Sequence, residues 1–161
     1  TLQLILLKRC TSYLNLGTIT HCLKRHIELE KMMIQTVIHY FLHFGMPLII
    51  AYLFFRDDFK RVYLILLATM LVDLDHLLAT PIFSPNRCSI NFHPLHTYYA
   101  MAAYAAMLFL PKTYKIIGLG LLLHMLTDLN DCVMTYLNCP QCLNKASARE
   151  LVKWLVTATN A

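Results

Sequence analysis

The stretch MLVDLDHLL, residues 70–78, places two aspartates and a histidine inside an apolar block long enough to cross a membrane. An ionisable side chain at bilayer depth is costly, and it is rare unless it is paired, hydrated or functional. The fold and the function therefore depend on whether other segments supply partners for these three side chains.

The composition favours a membrane protein. The chain has 161 residues, of which 58% are hydrophobic and 14% charged, and this leaves little polar sequence for the surface of a soluble domain. Apolar blocks cover roughly residues 33–55, 62–83, 95–110 and 116–137, and three of them reach the length of about 20 residues that a span requires. The sequence predicts an all-α, integral membrane four-helix bundle. The alternative, a soluble helical bundle, would need a polar face on each helix.

The two ends of the chain differ from this predicted membrane domain, which covers residues 32–137. Residues 1–31 are expected to be a leader or an expression-derived segment that need not be ordered, or else a short interfacial helix. In the C-terminal tail, residues 138–161, Ser147 and Glu150 have the spacing of a capping box and predict a short interfacial helix. The net charge of +5 does not predict nucleic-acid binding, because the basic residues lie at helix ends and in the tails.

Every apolar block carries side chains of the kinds that bind metals. Because consecutive spans run in opposite directions, these side chains all fall toward the same side of the membrane. The candidate metal ligands are His39, His43, Asp73, His76, His93, His96, His124 and Asp128, and the candidate catalytic carboxylates are Asp75 and Asp131.

A short internal repeat supports the same interpretation. The segment MLVDLDH (70–76) matches MLTDLND (125–131) and aligns Asp73 with Asp128, and a segment with paired histidines precedes each copy. This pattern predicts two parallel-repeat helical hairpins around an axis along the membrane normal. The two aspartates would then face each other, and a cation between them would relieve their repulsion. Mixed imidazole and carboxylate ligands favour one or two divalent transition-metal ions, zinc first and manganese or iron as alternatives.

Four segments carry a resemblance to a known family: HYFLHFGMP (39–47), DLDH (73–76), RCSINFHPLHTYY (87–99) and LLLHMLTDLNDC (121–132). They resemble a bacterial family of short, uncharacterised four-helix membrane proteins that is similar to the LexA-regulated, membrane-bound, predicted metal-dependent hydrolases. The resemblance covers about residues 33–137 and implies a membrane metallohydrolase. Residue by residue it points to His39, His43, Asp73, Asp75, His76, His93, His96, His124 and Asp128.

Together these patterns predict a metal-dependent hydrolase whose metal lowers the pKa of a bound water and polarises a carbonyl or phosphoryl oxygen. The substrate is expected to be a lipid ester or phosphoester, or a small molecule. On an α-helix Asp75 would point about 200° away from Asp73. We therefore expect Asp75 to act as a general base or to orient a ligand histidine. Asp131 is expected to act likewise. The side chains expected to contact the metal directly are His39, Asp73, His96, His124 and Asp128.

Other functions use some of the same residue types. A proton or divalent-metal transporter or channel also places Asp and His within spans, although the opposite half of this bundle has almost no polar residues. Haem held by two histidines is disfavoured by the carboxylates. No Ser–His–Asp arrangement stands out in the sequence, and the lone CPQC motif of Cys139 and Cys142 only weakly indicates a redox or zinc role.

The distribution of basic residues predicts the orientation in a bacterial cytoplasmic (inner) membrane. Loops 56–61 and 111–115 hold five Lys and Arg residues, whereas loop 84–94, on the metal side, holds only Arg87. The positive-inside rule then puts the metal site on the extracytoplasmic face, although basic residues in the tail argue for the opposite. Cys88 and Cys132 lie on the metal side, where an oxidising compartment would let them form a disulfide. The lipid bilayer is the expected partner, and the protein could also form a homo-oligomer.

Overall fold

Helices dominate the described part of the chain, which comprises residues 16–80, 82 and 87–159 of this computed structural model. No β-strand occurs within those residues, so the predicted all-α fold class is confirmed. The chain divides into two compact units, Thr1–Val37 and Ile38–Ala161.

Helix α1 (Leu16–Tyr40) holds every described residue of the first unit. Residues 16–31, which belong to the predicted leader or interfacial segment, are therefore helical, and residues 1–15 lie outside the described residues. Within α1, His26 Nδ1 lies 3.7 Å from Glu30 Oε1, one turn later in the helix.

The second unit is a succession of helices with short connections. Its longer elements are a π turn (Phe41–Gly45), α2 (Met46–Phe54), α3 (Phe59–Ala68), a long 3₁₀ helix (Thr69–Leu78), α4 (Tyr98–Met107), α5 (Lys112–Asn138) and α6 (Arg149–Thr159). Single 3₁₀ turns cover Arg56–Asp58, Pro94–His96 and Pro140–Leu143.

Helix α5 is the element around which this unit is built, because it packs against α3, α4, α6, the π turn and the long 3₁₀ helix. Two of its glycines allow this close packing. A Cβ atom at Gly118 would lie 2.8 Å from the Tyr104 carbonyl oxygen in α4, and one at Gly120 would lie 2.7 Å from the Thr69 hydroxyl. Any side chain at either position would push α5 away from its neighbours.

The π turn follows from the proline that comes after it. Pro47 has no N–H to donate to the carbonyl group of His43, so the regular α-helical pattern fails at this point. The Met46 N–H instead donates to the Phe41 carbonyl, five residues earlier. Such π turns are frequent at functional sites, and this one carries His43 into the interior.

The long 3₁₀ helix has three residues per turn, so side chains three apart share one face. Thr69, Val72 and Asp75 are buried on one face, whereas three exposed leucines form the second. Asp73 and His76 share the third face. The α-helical geometry expected for this segment is therefore wrong, and with it the angle of about 200° between Asp73 and Asp75.

Two helices within the described residues are long and apolar enough to cross a membrane, Ile19–Phe54 and Lys112–Asn138. The third predicted span is much shorter than expected, since α4 has only 10 residues and is about 15 Å long, against about 30 Å of hydrocarbon. Thr97 has an extended backbone, and its hydroxyl accepts a hydrogen bond of 3.3 Å from the Ala100 N–H. His93 and His96, which were expected at the entrance of the third span, lie in the turns that precede α4.

The disulfide between Cys88 and Cys132 is present, as predicted. It ties the segment that precedes His93 and His96 to α5, and both sulfur-bearing residues belong to a buried cluster that includes Val152 of α6. The cysteines of the CPQC motif, Cys139 and Cys142, also form a disulfide. The expected C-terminal helix is present as α6 and docks through Val152.

Candidate metal centre

Four side chains from three elements converge on one point of the second unit. Asp73 comes from the long 3₁₀ helix, His96 from the turn Pro94–His96, and His124 and Asp128 from successive turns of α5. One ligand atom from each of these four residues lies within 4.8 Å of every other. Four of the five side chains expected to contact the metal directly thus lie close together, and the fifth, His39, is not in this group. We call these four residues the primary ligand group.

Five of the six distances between the four ligand atoms are close to those expected around a small tetrahedral cation. His96 Nε2 lies 3.0 Å from Asp128 Oδ2, 3.4 Å from His124 Nε2 and 3.5 Å from Asp73 Oδ1. His124 Nε2 lies 3.1 Å from Asp73 Oδ1 and 3.7 Å from Asp128 Oδ2. Four ligands at about 2.0–2.1 Å from a zinc ion would be about 3.3–3.4 Å apart. The observed distances are scattered around this value.

The hydrogen bonding and the charges also fit a metal. Among the described residues, the buried Asp128 Oδ2 has no hydrogen-bond partner of acceptable geometry, although His96 Nε2 is nearby. His96 and His124 are completely buried and point their Nε2 atoms at each other. A divalent cation would balance the two carboxylates and accept a lone pair from each imidazole, which resolves both contacts.

Asp75 holds His96 in position from the side opposite the primary ligand group. Its Oδ2 lies 3.1 Å from His96 Nδ1 and accepts a hydrogen bond of 2.8 Å from the Leu95 N–H. A His96 tautomer that donates from Nδ1 leaves the lone pair of Nε2 for a metal, and such carboxylate–histidine pairs commonly support metal sites. Asp75 is buried, and this position corresponds to the second of the two roles expected from the sequence.

His76 occupies the space between two aspartates and a serine. Its Nδ1 lies 3.2 Å from both Asp73 Oδ1 and Asp75 Oδ1, and its Nε2 lies 3.0 Å from Ser89 Oγ. The His93 ring packs against it, with 3.9 Å between the ring centroids. The structure therefore assembles a Ser–His–Asp arrangement that the sequence analysis missed. The only signal was the position of Ser89 within the histidine-rich segment.

The predicted ligands His39 and His43 lie beside the primary ligand group rather than in it. His39 Nδ1 lies 2.7 Å from Asp131 Oδ2, and His43 Nε2 lies 4.0 Å from Asp128 Oδ1. His43 packs on His124, with 4.6 Å between the ring centroids. All ten predicted site residues thus lie in one polar cluster, but at different distances from its centre.

A pocket of about 370 Å³ opens beside the primary ligand group. Asp73 and Asp128 line it together with His39 and Asp131, so this side of the group is accessible to a further ligand. Arg87 also lines the pocket, with its guanidinium 5.0 Å from the centre of the Phe92 ring. An isolated loop arginine gives no sequence signal of a binding role, so Arg87 is not predictable as a pocket residue.

Comparison with known proteins identifies the family. The model described as "Family of unknown function (DUF6122)" matches residues 33–135. The chain belongs to the DUF6122 family. No curated protein and no solved structure matches it.

The DUF6122 match contains the whole polar cluster and both cysteines of the Cys88–Cys132 disulfide. Helix α6 and residues 1–32 lie outside it. The part of the chain that defines the family is therefore the part that carries the candidate metal centre.

Proposed function

We propose that this DUF6122 protein is a membrane-embedded metal-dependent hydrolase that acts on a lipid ester or phosphoester. The observation that carries the proposal is the close approach of the four ligand atoms of the primary ligand group at the wall of a pocket. A bound zinc ion would activate a water molecule and polarise the oxygen of the ester or phosphoryl group. The reaction class also agrees with the resemblance of the motifs to the LexA-regulated membrane hydrolases.

The protein side chains would bind and orient the reactants. Asp75 fixes the ring of His96 through Nδ1. Arg87 would attract an anionic oxygen of the substrate, because a guanidinium forms strong charge-assisted hydrogen bonds with phosphate and carboxylate groups. Leu77 and Ile82 line the same pocket and would contact an acyl chain. A substrate with a charged head and an apolar tail fits this combination of side chains.

The exposed apolar surface of two segments supports the proposed membrane insertion. Leu71, Leu74 and Leu77 form an outward face of the long 3₁₀ helix, each more than half exposed, and α2 exposes an apolar face as well. A soluble protein rarely exposes large continuous apolar patches. The short α4 and the long 3₁₀ helix would then lie within the bilayer beside α5.

The proposed orientation places the metal centre on the extracytoplasmic face of a bacterial cytoplasmic membrane. The Cys88–Cys132 disulfide lies at the metal side, and disulfides persist in oxidising compartments. The opposite end carries most of the basic loop residues, where Lys112 forms an ion pair with Asp58 that holds the pKa of this carboxyl below its usual value.

The test is a comparison of purified wild-type protein with two aspartate variants in detergent. We expect stoichiometric zinc and metal-dependent turnover of lipid esters or phosphoesters in the wild type. Asp73→Asn should lose both, whereas Asp57→Asn should lose neither, because Asp57 is an exposed residue of the 3₁₀ turn Arg56–Asp58, outside the ligand group and the pocket lining. Full metal occupancy in Asp73→Asn would contradict the proposed centre. Metal binding without turnover, combined with metal or proton flux into vesicles, would instead favour the transporter.

A further inference from the structure

A cleft between α3 and α5 lies far from the metal centre, about 24 Å along α5 from Asp128. Its mouth is a cavity of about 90 Å³, lined by Asp58 and Arg61 on the α3 side and by Lys112 and Thr113 at the start of α5. Lys112 forms an ion pair with Asp58, and Arg61 adds a second, exposed positive charge. The side chains that line the mouth therefore carry one more positive than negative charge.

An apolar groove of about 540 Å³ continues from this mouth toward the middle of α5. Ile65 of α3 lines both the mouth and the groove, so the two spaces adjoin. The lining of the groove contains the hydroxyl groups of Thr69 and Tyr104, and each donates a hydrogen bond to a backbone carbonyl, at 2.6 and 2.9 Å. The groove thus offers apolar contacts to a ligand, whereas its mouth offers positive charge.

Basic residues are in excess around the mouth. Loops 56–61 and 111–115 contain five Lys and Arg residues and two Asp residues. The proposed orientation places these loops at the cytoplasmic surface, where anionic lipids create a negative potential that attracts Lys and Arg. Charge and lining together fit a molecule with an anionic head group and a long acyl chain.

We propose that the cleft between α3 and α5 binds one anionic phospholipid of the cytoplasmic leaflet, with its phosphate group beside Arg61 and Lys112 and an acyl chain in the apolar groove. Basic pockets between transmembrane helices on the cytoplasmic side bind anionic lipid head groups in other membrane proteins. The inference depends on the proposed membrane insertion, but it goes beyond the hydrolase and does not involve the metal centre. A lipid that binds only the folded protein raises its stability by mass action.

The experiment measures lipid binding to the purified full-length protein in detergent, by native mass spectrometry and thermal unfolding. We expect phosphatidylglycerol to bind and to raise the unfolding temperature, phosphatidylcholine to bind more weakly, and inorganic phosphate alone to have no effect. Arg61→Gln should bind phosphatidylglycerol about 5-fold more weakly. Lys60→Gln is the matched control, because it removes the same charge from the neighbouring exposed residue, which does not line the mouth, and it should bind as the wild type does.

A second pair of variants tests the groove. Ala68 lines it, so Ala68→Leu should fill part of the groove and weaken phosphatidylglycerol binding. Ala102→Leu, at an exposed position of α4 outside the lining, should leave the binding unchanged. A dimer of the wild type that Ala68→Leu converts into a monomer would instead assign the groove to a second copy of the chain.

The outcomes for the lipid and for the hydrolase are separate. Equal losses in Arg61→Gln and Lys60→Gln, equal binding of the two phospholipids, or binding of inorganic phosphate as tight as that of phosphatidylglycerol would overturn the lipid site and leave the hydrolase standing. Selective phosphatidylglycerol binding in a protein without metal-dependent turnover would support the lipid site and contradict the hydrolase.

Discussion

At the scale of single residues, the chemistry of the candidate centre depends on which histidine nitrogen each aspartate contacts. Asp73 and Asp128 each direct one oxygen at His124 Nε2, whereas Asp75 contacts the far nitrogen of His96. Asp73 and Asp128 therefore face the candidate metal position, whereas Asp75 positions a histidine. Helix type separates them, because the 3₁₀ helix turns Asp75 onto the buried face and Asp73 onto the pocket face.

The substitution of Asp75 tests whether this residue positions His96. Asp75→Asn should retain the metal at saturating zinc but bind it about 10–100-fold more weakly, because the charged partner of His96 is lost. A zinc titration of the stripped protein measures the change, with Asp57→Asn as the control. An unchanged zinc affinity would show that the contact with His96 is only structural.

Arg87 provides a test of the substrate charge. Arg87→Gln should lower kcat/KM for phosphoesters or other anionic substrates by about 10–100-fold, mainly through KM, since a charge-assisted hydrogen bond contributes about 1.5–3 kcal/mol. Arg56→Gln is the matched control, because Arg56 also packs on an aromatic ring, that of Tyr52, outside the pocket lining. An equal loss in both variants would argue against anion binding by Arg87.

Ser89 distinguishes activated water from a serine nucleophile. If water attacks the substrate, Ser89→Ala should keep turnover within about 10-fold of the wild type, since only the hydrogen bond to His76 is lost. A loss of turnover by several orders of magnitude with the zinc still bound would assign the attack to Ser89 and make His76 its base.

At the scale of elements, the site depends on how closely α5 approaches the long 3₁₀ helix and α4. The Thr69 hydroxyl donates a hydrogen bond of 2.6 Å to the Leu66 carbonyl. This bond holds the hydroxyl next to Gly120, where a Cβ atom would lie 2.7 Å from it. Because His124 lies one turn after Gly120 on α5, a shift of the helix at Gly120 would also shift one side of the primary ligand group.

Gly120→Ala should therefore destabilise the protein by about 1–3 kcal/mol, the usual cost of overpacking, and weaken zinc binding. Thermal unfolding of the purified protein measures the first effect and zinc titration the second. Gly17→Ala, at an exposed position of α1, should leave both unchanged. A Gly120→Ala variant with wild-type stability and zinc affinity would show that α5 can move without disturbing the centre.

The elements also show what the sequence could and could not predict. Hydrophobic periodicity and the placement of His and Asp predicted the helices and the convergence of the ten residues. The 3₁₀ geometry was missed because MLVDLDH and MLTDLND have the same pattern, yet only the second copy is α-helical. The 3₁₀ copy packs Thr69 against Gly120 and buries Asp75 against the Leu95 N–H, and these tertiary contacts cannot be read from the repeat pattern.

At the scale of the whole molecule, we expect the metal centre to lie on the oxidising side of a membrane. In the chain-entropy estimate, the disulfide that links Cys88 to Cys132 across a sequence separation of 44 residues stabilises the fold by about 4 kcal/mol. Its reduction would also release the segment that carries His96 from α5.

Thiol labelling of intact cells tests this orientation. In a variant that retains only Cys88 and Cys132, an impermeant thiol reagent should label both cysteines in intact cells, but only after an impermeant reductant has been added. The same variant in broken membranes serves as the reference for full labelling. Labelling that requires broken membranes would place the metal centre on the cytoplasmic face.

The central claim is that histidines and aspartates, and no cysteines, hold a metal in this molecule. X-ray absorption spectroscopy at the zinc edge of the purified protein tests it most directly. We expect nitrogen and oxygen neighbours at about 2.0–2.1 Å in a coordination shell without sulfur. A shell containing sulfur at about 2.3 Å, or a protein that never retains zinc, would contradict the account.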